Sequence, residues 1–125
     1  MTGLYERRDA RGIEPRRAYT IADGASAPGV SVVVLGGELD LAAAPVLRER
    51  VDAVGAGDAL VLDVAHATFV DSAMLRELLQ TRSRSHRLVL AGAPPQLLRL
   101  LELTRTTDLF ELAPDVEAAL RRLTG

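Results

Sequence analysis

The stretch that most constrains the fold is residues 59–79, where an apolar run leads directly into a helical pattern. Leu60–Val64 is short and contains β-branched residues, which predicts a buried strand. Helical spacing then relates three leucines: Leu75, Leu78 and Leu79. A helix is therefore expected to begin at or just after Asp71. Asp71 and Ser72 fall at its N-terminus, where free N–H groups and a partial positive charge suit a capping carboxylate or a phosphate.

The rest of the chain alternates strand patterns with helical ones. Further strands are expected at residues 18–22, 30–35, 88–91 and 109–112. Prolines mark the starts of the other helices: Pro45, Pro94–Pro95 and Pro114–Asp115. The resulting order, β-β-α-β-α-β-α-β-α, predicts an α/β fold. Its single mixed β-sheet is mostly parallel, begins with an N-terminal hairpin and is covered by about four helices.

Two finer expectations follow from the same patterns. The first helix has only Ala44 available as its N-cap, and alanine is a poor cap because it offers no side-chain acceptor. Four apolar side chains are expected to be buried in the core: Val33, Leu62, Val64 and Leu78.

The composition fits one domain and excludes several classes of protein. The 125 residues are 48% hydrophobic, carry a net charge of -2 and include no cysteine. That balance gives no overall basic field for nucleic acid, no disulfide framework and no thiolate metal site. No apolar run approaches the roughly 20 residues that a membrane helix needs. We therefore expect a cytoplasmic protein that binds no nucleic acid and has no membrane span.

The first 17 residues differ in character from the remainder. They hold five arginines and three acidic residues without apolar periodicity. Neither arginine pair is followed by the apolar segment that a cleavable export signal requires. We expect a flexible, Arg-rich N-terminal tail at residues 1–17 and a folded domain at residues 18–125.

Catalytic chemistry is not predicted. A triad could be drawn from Ser72, Asp63 and either His66 or His86, but the nucleophile turn would need glycines that flank the serine, and they are absent. His66 is expected in a loop and His86 at a helix end. Two histidines twenty positions apart do not form a metal site. The sequence predicts neither an enzyme nor a cofactor.

Acidic residues follow two neighbouring strands of the predicted sheet. Glu38 and Asp40 come after one strand, and Asp71 comes after the next. The carboxyl ends of parallel strands share one edge, where binding crevices form, so Asp40 is expected near Ser72. Two interpretations remain open: the carboxylates cap helices and turn the chain, or they belong to a functional edge.

Three segments in the same order resemble the STAS domain of anti-sigma-factor antagonists. The match as a whole covers about residues 17–123. The three segments correspond to that family's G-E-L-D segment, its D-S-[ST]-G-L signature and its Leu-rich helix. The segments are Gly37–Asp40 with Ala44-Pro45, Leu62–Val64 with Phe69–Ser72, and Leu98–Thr104 with Asp108–Phe110.

The resemblance implies a helix-covered sheet without catalytic activity and a switch at Ser72. In the family, a serine kinase that is itself the anti-sigma factor phosphorylates this serine, and a phosphatase reverses the reaction. The unmodified antagonist binds the anti-sigma factor and so releases a sigma factor. The resemblance maps the family's paired acidic positions onto Asp40 and Asp71. The residues predicted to bind the partner are Glu38, Asp40, Asp71, Ala73, Met74 and Arg76.

The chain departs from the family pattern in its signature. Ala73 and Met74 stand where the family has Ser or Thr and then Gly, and Arg105 replaces the glycine after Thr104. Met74 is interpreted either as an apolar anchor for a partner or as an obstacle to the kinase. Two other functions stay open: a non-phosphorylated STAS scaffold or accessory subunit of a transporter or signalling complex, and a small nucleotide-binding domain.

Overall fold

A five-stranded mixed sheet organises the chain, and its strands follow one another across the sheet in sequence order. The computed structural model describes residues 6–8, 15–55 and 57–124. The first pair of strands in this sheet is antiparallel and the other three pairs are parallel, which confirms the predicted fold class. The strands are β3 (Tyr19–Asp23), β4 (Val30–Leu39), β5 (Ala59–Val70), β6 (Arg87–Ala91) and β7 (Glu111–Ala113).

Four α-helices cover the two faces of the sheet unequally. They are α1 (Ala44–Asp52), α2 (Ser72–Arg84), α3 (Pro95–Leu103) and α4 (Val116–Thr124). Buried side chains of α1, α2 and α3 join the larger apolar cluster on one face, whereas α4 packs against a smaller cluster on the other. Alternate side chains of each buried strand serve the two clusters, because successive residues of a strand point to opposite faces.

The four side chains predicted for the core are confirmed. Val33, Leu62, Val64 and Leu78 are each at most 1% exposed and belong to the larger cluster. Leu62 lies in register with Val33 on β4 and with Leu90 on β6, so three apolar side chains form one row across the sheet. This row belongs to the same cluster as Leu78 of α2.

Strands β4 and β5 are both longer than the apolar segments of the sequence predicted. β5 continues to Val70, although it pairs with β6 only as far as Asp63. The extension is stabilised by β4, with register shifts between Val34 and Gly36 and between Gly37 and Glu38. The expectation that His66 lies in a loop was therefore wrong. An exposed His66 is compatible with a strand here because this part of β5 lies beyond β6.

The N-terminal segment includes a short antiparallel ribbon that the sequence did not predict. β1 (Glu6–Arg8) pairs with β2 (Pro15–Arg17). Residues 1–5 and 9–14 lie outside the described residues. The division into a flexible tail and a domain that begins at residue 18 stays a prediction.

Two boundaries differ slightly from expectation. The helix α1 begins at Ala44 with Ala43 as its N-cap, one residue earlier than predicted. Near the C-terminus, a 3-10 turn (Thr107–Leu109) precedes β7, so the final strand starts later than the pattern suggested. Between β6 and β7, the Arg87 guanidinium hydrogen-bonds Glu111 and holds the pKa of that carboxyl below its usual value.

Arg105 adopts the left-handed backbone conformation that glycine would take after a helix. Its φ is 58°, and its N–H donates to the carbonyl of Glu102. The N–H of Thr106 donates to the carbonyl of Leu101, which completes the usual glycine-type ending of a helix. The turn expected from the family pattern is thus present although the glycine is not.

Candidate functional site

The N-terminus of α2 is fixed by Asp71. The Oδ1 atom of Asp71 accepts a hydrogen bond from the backbone N–H of Met74 at 2.9 Å. Asp71 itself is extended, with φ -98° and ψ 179°, as an N-cap residue should be. The predicted helix start is therefore confirmed, and Ser72 is the first residue of the helix.

Two further hydrogen bonds join the ends of β4 and β5. The backbone N–H of Leu41 donates to Asp71 Oδ2 at 3.1 Å, and the N–H of Asp71 donates to the carbonyl of Leu39 at 3.3 Å. The residues on either side of Asp40 are thus bonded directly to the residue that precedes Ser72. Both oxygens of the Asp71 carboxylate are engaged, so the carboxylate is held in one orientation.

Asp40 turns the chain between β4 and α1. Its Oδ1 accepts from the N–H of Ala42 at 3.0 Å, and its carbonyl accepts from the N–H groups of Ala43 and Ala44. Asp40 and Asp71 therefore both have the structural roles that the simpler interpretation gave them. They also lie at the same edge of the sheet, which is what the functional interpretation required, since Leu41 connects them.

The expected modification site is accessible. The Ser72 side chain is exposed, and the three nearby acidic residues, Glu38, Asp40 and Asp71, are half-buried. Ala73 is also half-buried, whereas Arg76 is exposed one helical turn beyond Ser72. An exposed hydroxyl therefore lies at the end of a helix beside a fixed carboxylate.

Met74 does not lie on this surface. Its side chain is 0% exposed and packs in the larger apolar cluster beneath α2. Both interpretations of Met74 as a surface residue were therefore wrong: in this structure it can neither anchor a partner nor obstruct access to Ser72. The signal was present in the sequence, because Met74 precedes the core residue Leu78 by four positions.

Two large apolar side chains that the sequence analysis did not single out lie close to the site in the chain. Leu41 follows Asp40 and is 71% exposed, and Phe69 lies two residues before Asp71 and is 50% exposed. Their exposure depends on how far β4 and β5 extend beyond β6, a long-range property that local patterns do not report.

A groove of about 270 Å³ runs between α1 and α2, next to the strand-to-helix junction at Asp71 and Ser72. Its walls include Leu41 and Pro45 on one side and Ala73 and Arg76 on the other. Beneath it, Glu77 of α2 is only 2% exposed in its side chain and accepts hydrogen bonds from Arg48 of α1 at 2.7 and 3.1 Å. These hydrogen bonds raise the pKa of the Arg48 guanidinium and connect α1 to α2.

Among residues 6–8, 15–55 and 57–124, no group of three or more acidic or histidine side chains is arranged to hold a metal ion. None of the helices in this part of the chain has the length and apolarity needed to cross a bilayer.

The fold and the junction define an α/β domain that presents a strand-to-helix turn at one edge of its sheet. The sequence profile of the STAS domain matches residues 24–119, and the chain belongs to that family. No curated protein matches the chain significantly.

Solved structures with the same fold include two kinds of protein. An anti-sigma factor antagonist from Mycobacterium paratuberculosis is 28% identical, with a TM-score of 0.75, and the alignment covers 86% of this chain and 95% of that one. A sulfate transporter family protein from Wolinella succinogenes is 15% identical with a TM-score of 0.70 over 80% of this chain and 88% of that one.

The Bacillus cell fate determinant SpoIIAA, solved in its phosphorylated form, also shares the fold. It is 18% identical with a TM-score of 0.67, and the alignment covers 82% of this chain and 98% of that chain. At this identity, as for the transporter protein, the likeness concerns the fold alone.

Proposed function

We propose that this protein is an anti-sigma-factor antagonist: a regulatory binding protein, not an enzyme, whose partner is an anti-sigma factor that acts as a serine kinase. Phosphorylation of Ser72 ends the binding and a cognate phosphatase restores it, both in the cytoplasm. The observation that carries the proposal is the exposed Ser72 at the first position of α2, next to an Asp71 carboxylate held by two hydrogen bonds. The similarity to the mycobacterial antagonist supports the choice of partner.

The physical basis of the switch is a change of charge at a surface that is already acidic. A phosphoserine carries about -1.5 to -2 charges at neutral pH. Asp71 cannot turn away from it without losing the hydrogen bonds to Leu41 and Met74. A partner that docks here must therefore accept a phosphate beside a fixed carboxylate. A penalty of about 1–3 kcal/mol at such an interface weakens affinity about 5- to 150-fold.

The contact surface that we propose surrounds Ser72. Its polar part comprises Glu38, Asp40, Asp71 and Arg76, and the half-buried Ala73 belongs to the same surface. Leu41 and Phe69 are its apolar part, because large exposed apolar side chains next to a polar site are typical of protein interfaces. Met74 takes no part, since it is buried under α2.

We expect Ser72→Asp to weaken binding of the partner kinase about 5- to 150-fold and Ser72→Ala to retain it, because only the first adds charge at the junction. Affinities are to be measured by titration calorimetry with the kinase purified from the same cells. Ser83→Asp is the matched control: it adds the same charge to an exposed serine of α2, about 16 Å along the helix from Ser72. Equal affinities of Ser72→Asp and Ser83→Asp for the kinase would rule out the switch.

The alternative is a STAS module that is never phosphorylated and serves as a scaffold or as an accessory subunit of a transporter or signalling complex. The fold shared with the sulfate transporter family protein is compatible with it. The two functions differ in the state of Ser72 in cells. Mass spectrometry of the protein from cultures under several stresses distinguishes them, because the scaffold carries no phosphate at Ser72 under any condition.

A further inference from the structure

Arg76 is an unused cation close to the modification site. It is exposed on α2, and in the described part of the chain no hydrogen bond or ion pair engages it. It follows Ser72 by four positions, which brings the two side chains to the same face of the helix with Cβ atoms about 5–6 Å apart. An acidic group that precedes a basic one at this spacing is the favourable order along a helix.

Among the residues that the structure describes, the other charged groups around Ser72 do not offer a counter-ion for a phosphate. Asp71, Asp40 and Glu38 are carboxylates on the adjoining strand ends. Arg48, the arginine of the facing helix α1 that lines the groove, is bound to the buried Glu77 at 2.7 Å. Within the described ranges, Arg76 is therefore the arginine of this surface whose donors are all available.

We propose that Arg76 is the intramolecular counter-ion of phosphoserine 72. This rests on the proposed function, in which the kinase transfers the γ-phosphoryl group of ATP. The Ser72 Oγ–P bond forms as the bond to the leaving ADP breaks, and the hydroxyl proton passes to the kinase. The guanidinium then donates hydrogen bonds to the phosphate oxygens. Modification therefore adds a phosphate to the docking surface and also withdraws Arg76 from it.

The test uses a chain synthesised with phosphoserine at position 72, so that no kinase is needed. Its phosphate is titrated by 31P NMR, since the second pKa of a phosphoserine lies near about 6 and a neighbouring guanidinium lowers it. We expect Arg76→Gln to raise this phosphate pKa by about 0.3–0.7 relative to the chain with Arg76 intact. Arg76→Lys is expected to restore part of the difference.

Arg82→Gln is the control variant. It removes the same charge from an exposed arginine of α2 that lies about 15 Å along the helix from Ser72. A higher phosphate pKa in the Arg76 variant alone supports the pairing. Identical titrations of all variants, or equal changes with Arg76→Gln and Arg82→Gln, would overturn it. A chain that passes this test but is never phosphorylated in cells would refute the proposed function without refuting the ion pair.

Discussion

Replacing Gly37 with alanine is expected to destabilise the fold by about 2–5 kcal/mol. Gly37 has a φ of +78°, which a side chain disfavours, and an added Cβ would lie 2.5 Å from the carbonyl oxygen of Ala18 and 3.0 Å from Tyr19 Cα. Both contacts are with backbone, so no side-chain rotation relieves them. The Ala18 carbonyl also accepts the N–H of Glu38 at 2.8 Å. The start of β3 would have to move away from β4. Urea denaturation followed by circular dichroism measures the loss.

Gly29→Ala separates the two causes of that loss. Gly29 has a similar φ of +73°, but nothing lies within 4 Å of an added Cβ. Its replacement is expected to cost only about 1 kcal/mol, the strain of the left-handed conformation reduced by the lower entropy of the unfolded chain. Comparable losses from Gly37→Ala and Gly29→Ala would show that the close approach of β3 to Gly37 is not a constraint.

Leu62→Ala is expected to lower the free energy of unfolding by about 2–5 kcal/mol. Leu62 is 0% exposed in β5, the middle strand of the sheet, between Val33 and Leu90 in the neighbouring strands. Its neighbours belong to a continuous sheet and cannot collapse into the space left behind, so a cavity adds to the lost burial. The midpoint of urea unfolding reports the change, provided that the slope of the transition stays the same.

Leu103→Ala makes the same chemical change at a surface position. Leu103 is the last residue of α3 and is 70% exposed, so its truncation is expected to change stability by less than about 0.5 kcal/mol. If Leu62→Ala were no more destabilising than Leu103→Ala, the central position of β5 in the core would be contradicted.

The strand-to-helix junction could be predicted because its signals are local. The apolar run of β5, the capping Asp71 and the spacing of the α2 leucines each depend on only a few neighbouring residues. Asp40 could be assigned to the same edge as Asp71 because parallel strands end together. The hydrogen bond between Leu41 and Asp71 gives that assignment an atomic basis.

Properties that depend on distant partners could not be predicted. Local polarity around His66 suggested the end of β5, but the strand continues because β4 continues beside it. The exposure of Leu41 and Phe69 follows from that extension. The burial of Glu77 illustrates the same limit. From the sequence of α2 alone a carboxylate is expected to face solvent, whereas the structure pairs it with Arg48 of another helix.

The proposed switch at Ser72 is tested most directly by the affinity of the proposed partner kinase for the chain phosphorylated at Ser72. The chain is phosphorylated to completion, the single phosphate on Ser72 is verified by intact mass and peptide mapping, and its dissociation constant is compared with that of the unmodified chain. We predict binding about 5- to 150-fold weaker after modification. Equal dissociation constants for the fully modified and unmodified chains would contradict the proposed role of Ser72.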